Sequence, residues 1–229
     1  FFYPSIINFV RYNKLYMLCM SNGNFDGLGR TREKELELSC KNLKFSEPPM
    51  IVDDPDLQDG MESHWSPKLI AQYVSNFCRE REGTEDQIDI VVTFDAWGAS
   101  NHTNHMAVYE GLKLVMEQKM CDIELFTLTS VGIVRKLLGW LDINFCWTDE
   151  WHCFAYNPLY AWSALAIHES QFVWFRKLSV LFSRYSYVNS FSRFVQPERK
   201  APEDPATSKD SELADTKAAA PASTKVATD

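Results

Sequence analysis

The sequence predicts an α/β domain in which helices flank a mostly parallel β-sheet. Short apolar or β-branched runs alternate with helix-like segments over residues 15–129, which is typical of this class. The chain has 229 residues, 45% of them hydrophobic, so it can bury a sizeable core. Its net charge of −8 argues against a nucleic-acid partner, because phosphate contacts need a basic surface. We therefore expect a folded domain over residues 1–195 that binds no nucleic acid.

The first strand and the first long helix follow from the pattern of residues 15–49. Residues 15–20 form an apolar run, and the sequence SNGN at 21–24 ends it with turn residues. Residues 31–43 combine strong helix formers with apolar residues spaced for one helix face. The pair Pro48-Pro49 stops that helix.

A second strand and helix are predicted next. Met50 to Val52 indicate a short buried strand, and an acidic loop follows at residues 53–60. A helix is expected from Ser66 to about Arg81, because Pro67 stands at a first-turn position where proline is tolerated.

The third strand is the clearest in the chain. Residues 88–94 crowd β-branched side chains into one short run, which predicts a buried strand. Helical spacing over residues 105–118 and a strand at 123–129 follow, and residues 130–195 are expected to be helical and aromatic. From residue 196 to 229 the chain has no aromatic residue, so we predict a disordered polar tail.

The loop after the third strand carries the most informative residues. His102 and His105 stand three apart at the start of a helix, so both imidazoles can face one cleft. One can act as a metal ligand and the other as an acid or oxyanion donor. The alternative is that both are solvated loop histidines.

Three ordered blocks of sequence resemble one family. They are FDAWGASNHTNH at 94–105, HESQFVWFRKL at 168–178 with FSRY at 182–185 and Asn189, and SNGN at 21–24 with TREKEL at 31–36. Together they are similar to the N-acetylglucosaminyl-phosphatidylinositol de-N-acetylases, the PIG-L branch of the LmbE-like zinc deacetylases. The resemblance extends over about residues 1–194.

The resemblance implies a Rossmann-like fold and a zinc-dependent hydrolysis. The substrate would be the glycolipid GlcNAc-phosphatidylinositol, whose N-acetyl group is removed to give GlcN-phosphatidylinositol and acetate in the second step of GPI-anchor biosynthesis. The family works at the cytoplasmic face of the endoplasmic reticulum membrane. By motif, His105 would be a zinc ligand and His102 the catalytic histidine beside the oxyanion.

The same resemblance suggests five substrate-binding residues: Arg32, Asp56, Asp95, His168 and Gln171. Arg32 is a candidate for the sugar–inositol phosphate, Asp56 for a sugar hydroxyl, and Asp95 for fixing the loop or a histidine. Each has a structural alternative. Arg32 can pair with Glu35 on its helix, Asp56 can be a solvated turn residue, and His168 and Gln171 can cap a buried helix instead of lining the cleft.

The sequence departs from the family pattern in one respect. The family's other metal ligands and its general base lie in an HPDDE motif at the end of the first strand, and no HPDDE occurs here. The opening residues FFYP look like those that follow the motif. We therefore expect an N-terminally truncated chain that lacks the first strand and is inactive alone, being either an incomplete sequence of a longer protein or an inactive isoform. The alternative function is a non-catalytic pseudoenzyme that binds the glycolipid or a partner.

A membrane surface is the second expected partner. Members of this branch usually carry an N-terminal anchor, which we expect to be missing from this chain. Residues 170–195 contain many aromatics, no acidic residue and four basic ones: Arg176, Lys177, Arg184 and Arg193. Such a segment suits a membrane interface. The alternative, which the pattern favours, is that Phe172, Phe175, Leu178 and Phe182 form a core-facing stripe.

Overall fold

The computed structural model describes residues 1–60, 63–146 and 149–196. In this part of the chain the α-helices are Tyr3–Phe9 (α1), Gly29–Asn42 (α2), Pro67–Arg79 (α3), Gly98–Asn101 (α4), Thr103–Glu117 (α5), Ile133–Lys136 (α6), Pro158–Ala166 (α7) and Trp174–Phe182 (α8). The strands are Leu18–Cys19 (β1), Met50–Ile51 (β2), Ile90–Phe94 (β3), Glu124–Leu128 (β4), Trp151–Phe154 (β5) and Val188–Arg193 (β6). The predicted tail lies, apart from Gln196, outside the described residues.

The described strands form two sheets. β1 pairs with β2 in parallel, and a four-stranded sheet has the order β3-β4-β6-β5. β3 and β4 are parallel, with Phe94 opposite Leu128 at their carboxyl ends. The α/β class and its parallel pairs are therefore confirmed, and the helices and strands predicted over residues 31–129 all form within a few residues of their expected bounds.

Beyond residue 129 the purely helical prediction is wrong. β6 runs antiparallel to both β4 and β5 and completes the second sheet. The sequence of β6, VNSFSR, contains four polar residues and does not predict a strand. In the structure Val188, Asn189 and Phe191 are nevertheless fully buried. Tertiary packing decides this strand, which local propensity does not indicate.

The main core lies between β3–β4 and the helices α3 and α5. Ile70, Leu112, Val115 and Leu125 are almost completely buried there. Gly111 allows the two helices to approach closely, because a Cβ at this position would lie 2.5 Å from Cγ2 of Ile70. This packing fixes α5, and with it the orientation of the histidines at its start.

A buried ion pair holds the aromatic second half together. Asp142 and Arg184 are both fully buried, and Nε of Arg184 lies 2.7 Å from a carboxylate oxygen of Asp142. Arg135 reaches the same carboxylate from α6, with Nε 2.8 Å from the other oxygen. Arg184 also donates to Oγ of Ser190 in β6. The charge pair therefore connects α6, the turn after α8 and the sheet.

The favoured interpretation of residues 170–195 as a core-facing stripe is wrong for α8. Phe175, Leu178 and Phe182 are all exposed, and this helix has no buried residue. Among the described residues, no helix is both long enough and apolar enough to cross a bilayer.

Candidate active site

The carboxyl ends of β3 and β4 are joined by a carboxylate. Asp95 follows β3 directly, and its side chain accepts hydrogen bonds from the Ser130 backbone N–H at 2.7 Å and the Ser130 hydroxyl at 2.5 Å. The Ser130 Oγ in turn accepts from the Ala99 N–H at 2.8 Å. Asp95 thus fixes the loop that leads to the histidines.

The backbone between β3 and α5 adopts left-handed conformations. Gly98 has φ +57°, Ala99 φ 58° and Asn101 φ 56°. A Cβ on Gly98 would lie 2.9 Å from the Cβ of His105. The turn therefore needs glycine at position 98, both for its φ and for the close approach of His105. Left-handed backbone at non-glycine residues costs free energy and is common at functional sites.

We expect Gly98→Ala to lower the free energy of unfolding by about 2–3 kcal/mol, the sum of left-handed strain and overpacking against His105. Gly83 is the matched control, because it has φ +70° and a Cβ there would have no neighbouring atom within 4 Å. Gly83→Ala should therefore cost only about 1 kcal/mol, the strain alone. Urea unfolding of both variants measures the difference. An equal loss of unfolding free energy in the two variants would contradict the close packing of His105 against position 98.

The hydrogen bonds of His102 define one tautomer. Its ring caps the start of α5, with Nδ1 accepting from the Asn104 backbone N–H at 3.3 Å. An acceptor Nδ1 carries no proton, so the neutral ring carries its proton on Nε2. His102 is therefore arranged to donate a hydrogen bond from Nε2.

His105 has the opposite tautomer. Its Nδ1 lies 3.0 Å from the Gly98 carbonyl oxygen, which can only accept, so Nδ1 carries the proton and Nε2 keeps its lone pair. The ring stacks on Phe94 at 3.8 Å between centroids, and the His102 ring lies 4.8 Å away. A histidine that donates one ring N–H to a backbone carbonyl has the usual orientation of a metal ligand.

Burial keeps the imidazole of His105 neutral. Loss of water around the ring, more than the neighbouring His102, lowers the pKa of His105 from 6.5 to about 4. A neutral ring keeps the Nε2 lone pair available at physiological pH.

This pKa predicts a pH dependence of stability. Between pH 6.5 and about 4 the unfolded chain binds a proton on His105 that the folded chain does not, so stability is full above this window and falls as the pH falls through it. The ring keeps some contact with water, so we expect a loss on the order of 2 kcal/mol. Urea unfolding at about pH 7 and about pH 5 measures it. His105→Gln should remove this part of the pH dependence, and an unchanged dependence would contradict the assignment.

Two residues that sequence reasoning did not select complete the immediate surroundings. The buried Asn104 donates from Nδ2 to a carboxylate oxygen of Asp59 at 3.0 Å, which brings the acidic loop after β2 to the start of α5. Asn104 belongs to the HTNH block that carries the resemblance, so a signal for it was present. Asp59 had none, because only the tertiary fold places it here.

The donors present do not make a complete zinc site. His105 has the orientation and charge state of a ligand, but the described parts of the chain contain no group of three or more His, Cys, Asp or Glu side chains that could hold a metal ion. A catalytic zinc needs three protein ligands. One imidazole of this chain therefore fits the metal, and the set as a whole does not.

Three of the four remaining sequence-predicted residues, Arg32, His168 and Gln171, form a second group around α2. Arg32 donates to the Gly23 carbonyl oxygen and forms an ion pair with Asp26 at 2.7 Å. The alternative considered for this residue, a pair with Glu35, is therefore wrong. The Nε of Arg32 is buried and has no hydrogen-bond partner among the described residues. Glu35 instead accepts from the N–H and hydroxyl of Ser170, at 2.8 and 2.6 Å.

His168 and Gln171 belong to the segment that Glu35 holds. Gln171 accepts a hydrogen bond from Arg176 of α8. Burial lowers the pKa of His168, while the nearby Glu35 raises it and Arg176 lowers it further. Asp56 is exposed in the loop after β2, where its backbone N–H donates to Asp54 at 2.8 Å. The structure thus gathers Arg32, His168 and Gln171 around α2, separately from the contacts that join His102 and His105.

The structure is an α/β domain with two adjacent histidines of opposite tautomer at the carboxyl end of a parallel strand pair, an arrangement that suits acid–base or metal-assisted hydrolysis. Comparison with known proteins gives its family. Residues 1–116 match the family model described as PIG-L, GlcNAc-PI de-N-acetylase, so the chain belongs to this family. Asp95, His102 and His105 lie inside the matched range.

Three relatives agree with this assignment. The chain is similar to a probable N-acetylglucosaminyl-phosphatidylinositol de-N-acetylase of Dictyostelium discoideum, with 31% identity covering 83% of this chain and 86% of the relative. It is similar to the enzyme of that name from Bos taurus, with 34% identity over 84% of this chain and 77% of the relative. The Saccharomyces cerevisiae protein of that name is 28% identical, and the match covers 78% of this chain and 70% of the relative.

Proposed function

We propose that the polypeptide to which this chain belongs hydrolyses the N-acetyl group of GlcNAc-phosphatidylinositol, giving GlcN-phosphatidylinositol and acetate. The relatives named above act on this substrate by name. The observation that carries the proposal is the pair of opposite tautomers. His102 presents an N–H that can stabilise the oxyanion of a tetrahedral intermediate, and His105 presents a lone pair that can bind a cation.

The cofactor we propose is Zn²⁺, with His105 as one ligand. When bound, zinc would polarise the amide carbonyl and lower the pKa of a water molecule. The other ligands must lie outside the described residues, as in the HPDDE motif of the family. We accordingly propose that these 229 residues alone neither hold zinc nor hydrolyse the substrate.

The substrate's phosphate provides a role for Arg32. This guanidinium is mostly buried and is held by Gly23 and Asp26, so its position is fixed before any ligand binds. Its Nε has no hydrogen-bond partner within the described part of the chain. A preorganised arginine suits a phosphodiester. We place the reaction at the cytoplasmic face of the endoplasmic reticulum membrane, as the resemblance implies.

Complementation tests the proposal. In cells that lack GlcNAc-phosphatidylinositol de-N-acetylase, the complete gene that contains this sequence should restore GPI-anchored proteins at the cell surface. The 229-residue chain, expressed to the same level, should not restore them. Failure of the complete gene would contradict the enzymatic proposal, and rescue by the short chain would contradict its dependence on further ligands.

A non-catalytic binding protein is the second candidate, which the incomplete ligand set favours. Such a protein would bind GlcNAc-phosphatidylinositol without consuming it. The two functions differ in the complementation result for the complete gene. A polypeptide that retains glycolipid binding but fails to rescue would be a pseudoenzyme.

A further inference from the structure

A large apolar surface lies beside the candidate active site. After β4 the chain forms α6 and a 3-10 helix at Gly139–Phe145, and these expose most of their apolar side chains. Val134 is 71% exposed and Trp140 60% exposed, and Leu137 and Phe145 are similar. A folded domain rarely leaves so many neighbouring apolar groups in water unless they meet a partner.

The second part of this surface is formed by α7 and α8. Trp174 is 73% exposed, and Leu159, Tyr160, Phe175 and Phe182 are each more than half exposed. The sequence pattern indicates an aromatic surface for α8 only as an alternative. It gives no signal for α6, whose exposure becomes visible only in the fold.

The two parts meet at the end of α8. Gly139 opens the 3-10 helix next to the end of α8, where its Cβ position lies 3.5 Å from the carbonyl oxygen of Phe182. Tyr187 donates from its hydroxyl to the Leu181 carbonyl oxygen at 2.8 Å, which fixes the end of α8 against the sheet. We call residues 133–145 together with 156–182 the α6–α8 surface.

The charge of the α6–α8 surface is opposite to that of the chain. The whole chain carries −8, but within 133–145 and 156–182 the basic residues are Arg135, Lys136, Arg176 and Lys177 and the acidic ones are Asp142 and Glu169. Asp142 is fully buried and pairs with Arg135 and Arg184. The remaining basic residues, Lys136, Arg176 and Lys177, outnumber the remaining acidic one, Glu169. Exposed aromatics beside basic groups, on an otherwise acidic protein, suit anionic lipid headgroups.

The α6–α8 surface also adjoins the histidine loop. Lys136 of α6 donates from Nζ to the Ala99 carbonyl oxygen at 3.3 Å, within the turn that carries His102 and His105. On the other side of the surface, Arg176 donates to Gln171, and the neighbouring Ser170 donates to Glu35 of α2. A lipid seated on the α6–α8 surface would therefore have its headgroup near both groups of polar residues.

We propose that the α6–α8 surface docks on the face of a lipid bilayer, with its aromatic rings at headgroup level and the histidine loop at the membrane edge. A glycolipid headgroup could then reach the site while its acyl chains stay in the membrane. The bilayer is the occupant because exposed apolar side chains, aromatic in α8, occur together with basic residues in α6 and α8, on a chain that is acidic as a whole, and this combination suits anionic headgroups. This inference rests on the proposed function, because docking would serve to bring a lipid substrate to the site.

Vesicle flotation tests the docking without any hydrolysis. The purified 229-residue chain is mixed with phosphatidylcholine vesicles with or without phosphatidylinositol. We expect it to float with vesicles, more strongly with phosphatidylinositol and less strongly in high salt. The double variant Val134→Ser/Trp174→Ser should lower the partition coefficient at least about tenfold, because both side chains are exposed and each would lose burial in the interface.

The matched control is Tyr12→Ser/Leu38→Ser. Tyr12 is 88% exposed and Leu38 is 53% exposed, so both are comparable with the residues changed in the α6–α8 surface. Both lie outside that surface: Tyr12 is close in sequence to Lys14, which pairs with Asp86, and Leu38 lines a groove with Glu37 and Glu47. This variant should float like the wild type. Circular dichroism checks that all variants fold.

Three results would overturn the docking inference: a wild type that does not float, a double variant that floats like the control, or a double variant that changes a self-associated protein to a monomer. The last would mean that a second copy covers the α6–α8 surface. None of them bears on hydrolysis. Failed flotation with normal rescue by the complete gene would overturn the docking alone, whereas normal flotation with failed rescue would overturn the proposed function alone.

Discussion

Replacing Asp142 with asparagine is expected to lower the free energy of unfolding by about 3–5 kcal/mol. Asp142 and Arg184 are both fully buried, with Nε 2.7 Å from the carboxylate oxygen. The neutral amide would leave the guanidinium of Arg184 buried without its counter-charge. Loss of the Arg135 contact at 2.8 Å would add to the cost and release α6.

Two controls isolate this effect. Glu124 and Arg193 form an ion pair at 2.6 Å with both side chains about half exposed, so Glu124→Gln should cost no more than about 1 kcal/mol. Adding Arg184→Met to Asp142→Asn should recover part of the loss, because it removes the unpaired buried charge. Chemical denaturation measures all three variants. A cost for Asp142→Asn similar to that of Glu124→Gln would contradict the structural role of the buried pair.

The largest effect on activity is expected at the two histidines. In the cellular polypeptide that contains this sequence, His102→Ala should reduce deacetylation about 10²–10³-fold by removing the oxyanion donor. His105→Ala should reduce it at least as much, because it removes the Nε2 lone pair that we propose as a zinc ligand. The rate of acetate release from GlcNAc-phosphatidylinositol measures both effects.

His64 provides the control for these substitutions. It is exposed and lies outside both polar groups, so His64→Ala should leave the rate unchanged. His102→Gln distinguishes chemistry from folding, since an amide N–H can replace part of the donor function. If His102→Ala and His105→Ala retained the wild-type rate, the active-site assignment would be wrong.

Most of the fold around the site was predictable from the sequence. Residues 31–43, 66–81 and 105–118 have strong helical patterns, and the β-branched run at 88–94 predicts β3 directly. These elements succeed because local propensity and burial agree. The block FDAWGASNHTNH identified the family and the histidines, although the sequence alone does not reveal their opposite tautomers.

The rest depends on contacts between residues far apart in the chain. β6 is a strand because its neighbours bury it, and its Asn189 accepts from Ser5 at 2.6 Å across 184 positions. Arg184 and Asn189 belong to the C-terminal block that carries the resemblance, yet here both hold the fold. Asp59 accepts a hydrogen bond from Asn104, and Arg32 pairs with Asp26 instead of Glu35. Both contacts depend on how loops pack in the folded chain, which the local sequence does not indicate.

Acetate release by two preparations tests the central claim most directly. An antibody against this chain captures the cellular polypeptide that contains it, and the recombinant 229-residue chain is assayed beside it at equal concentration with GlcNAc-phosphatidylinositol. We predict acetate release by the captured polypeptide, abolished by a zinc chelator and restored by added zinc, and none by the recombinant chain. A captured polypeptide that binds the glycolipid but releases no acetate would contradict the proposed enzyme and favour the non-catalytic binding protein.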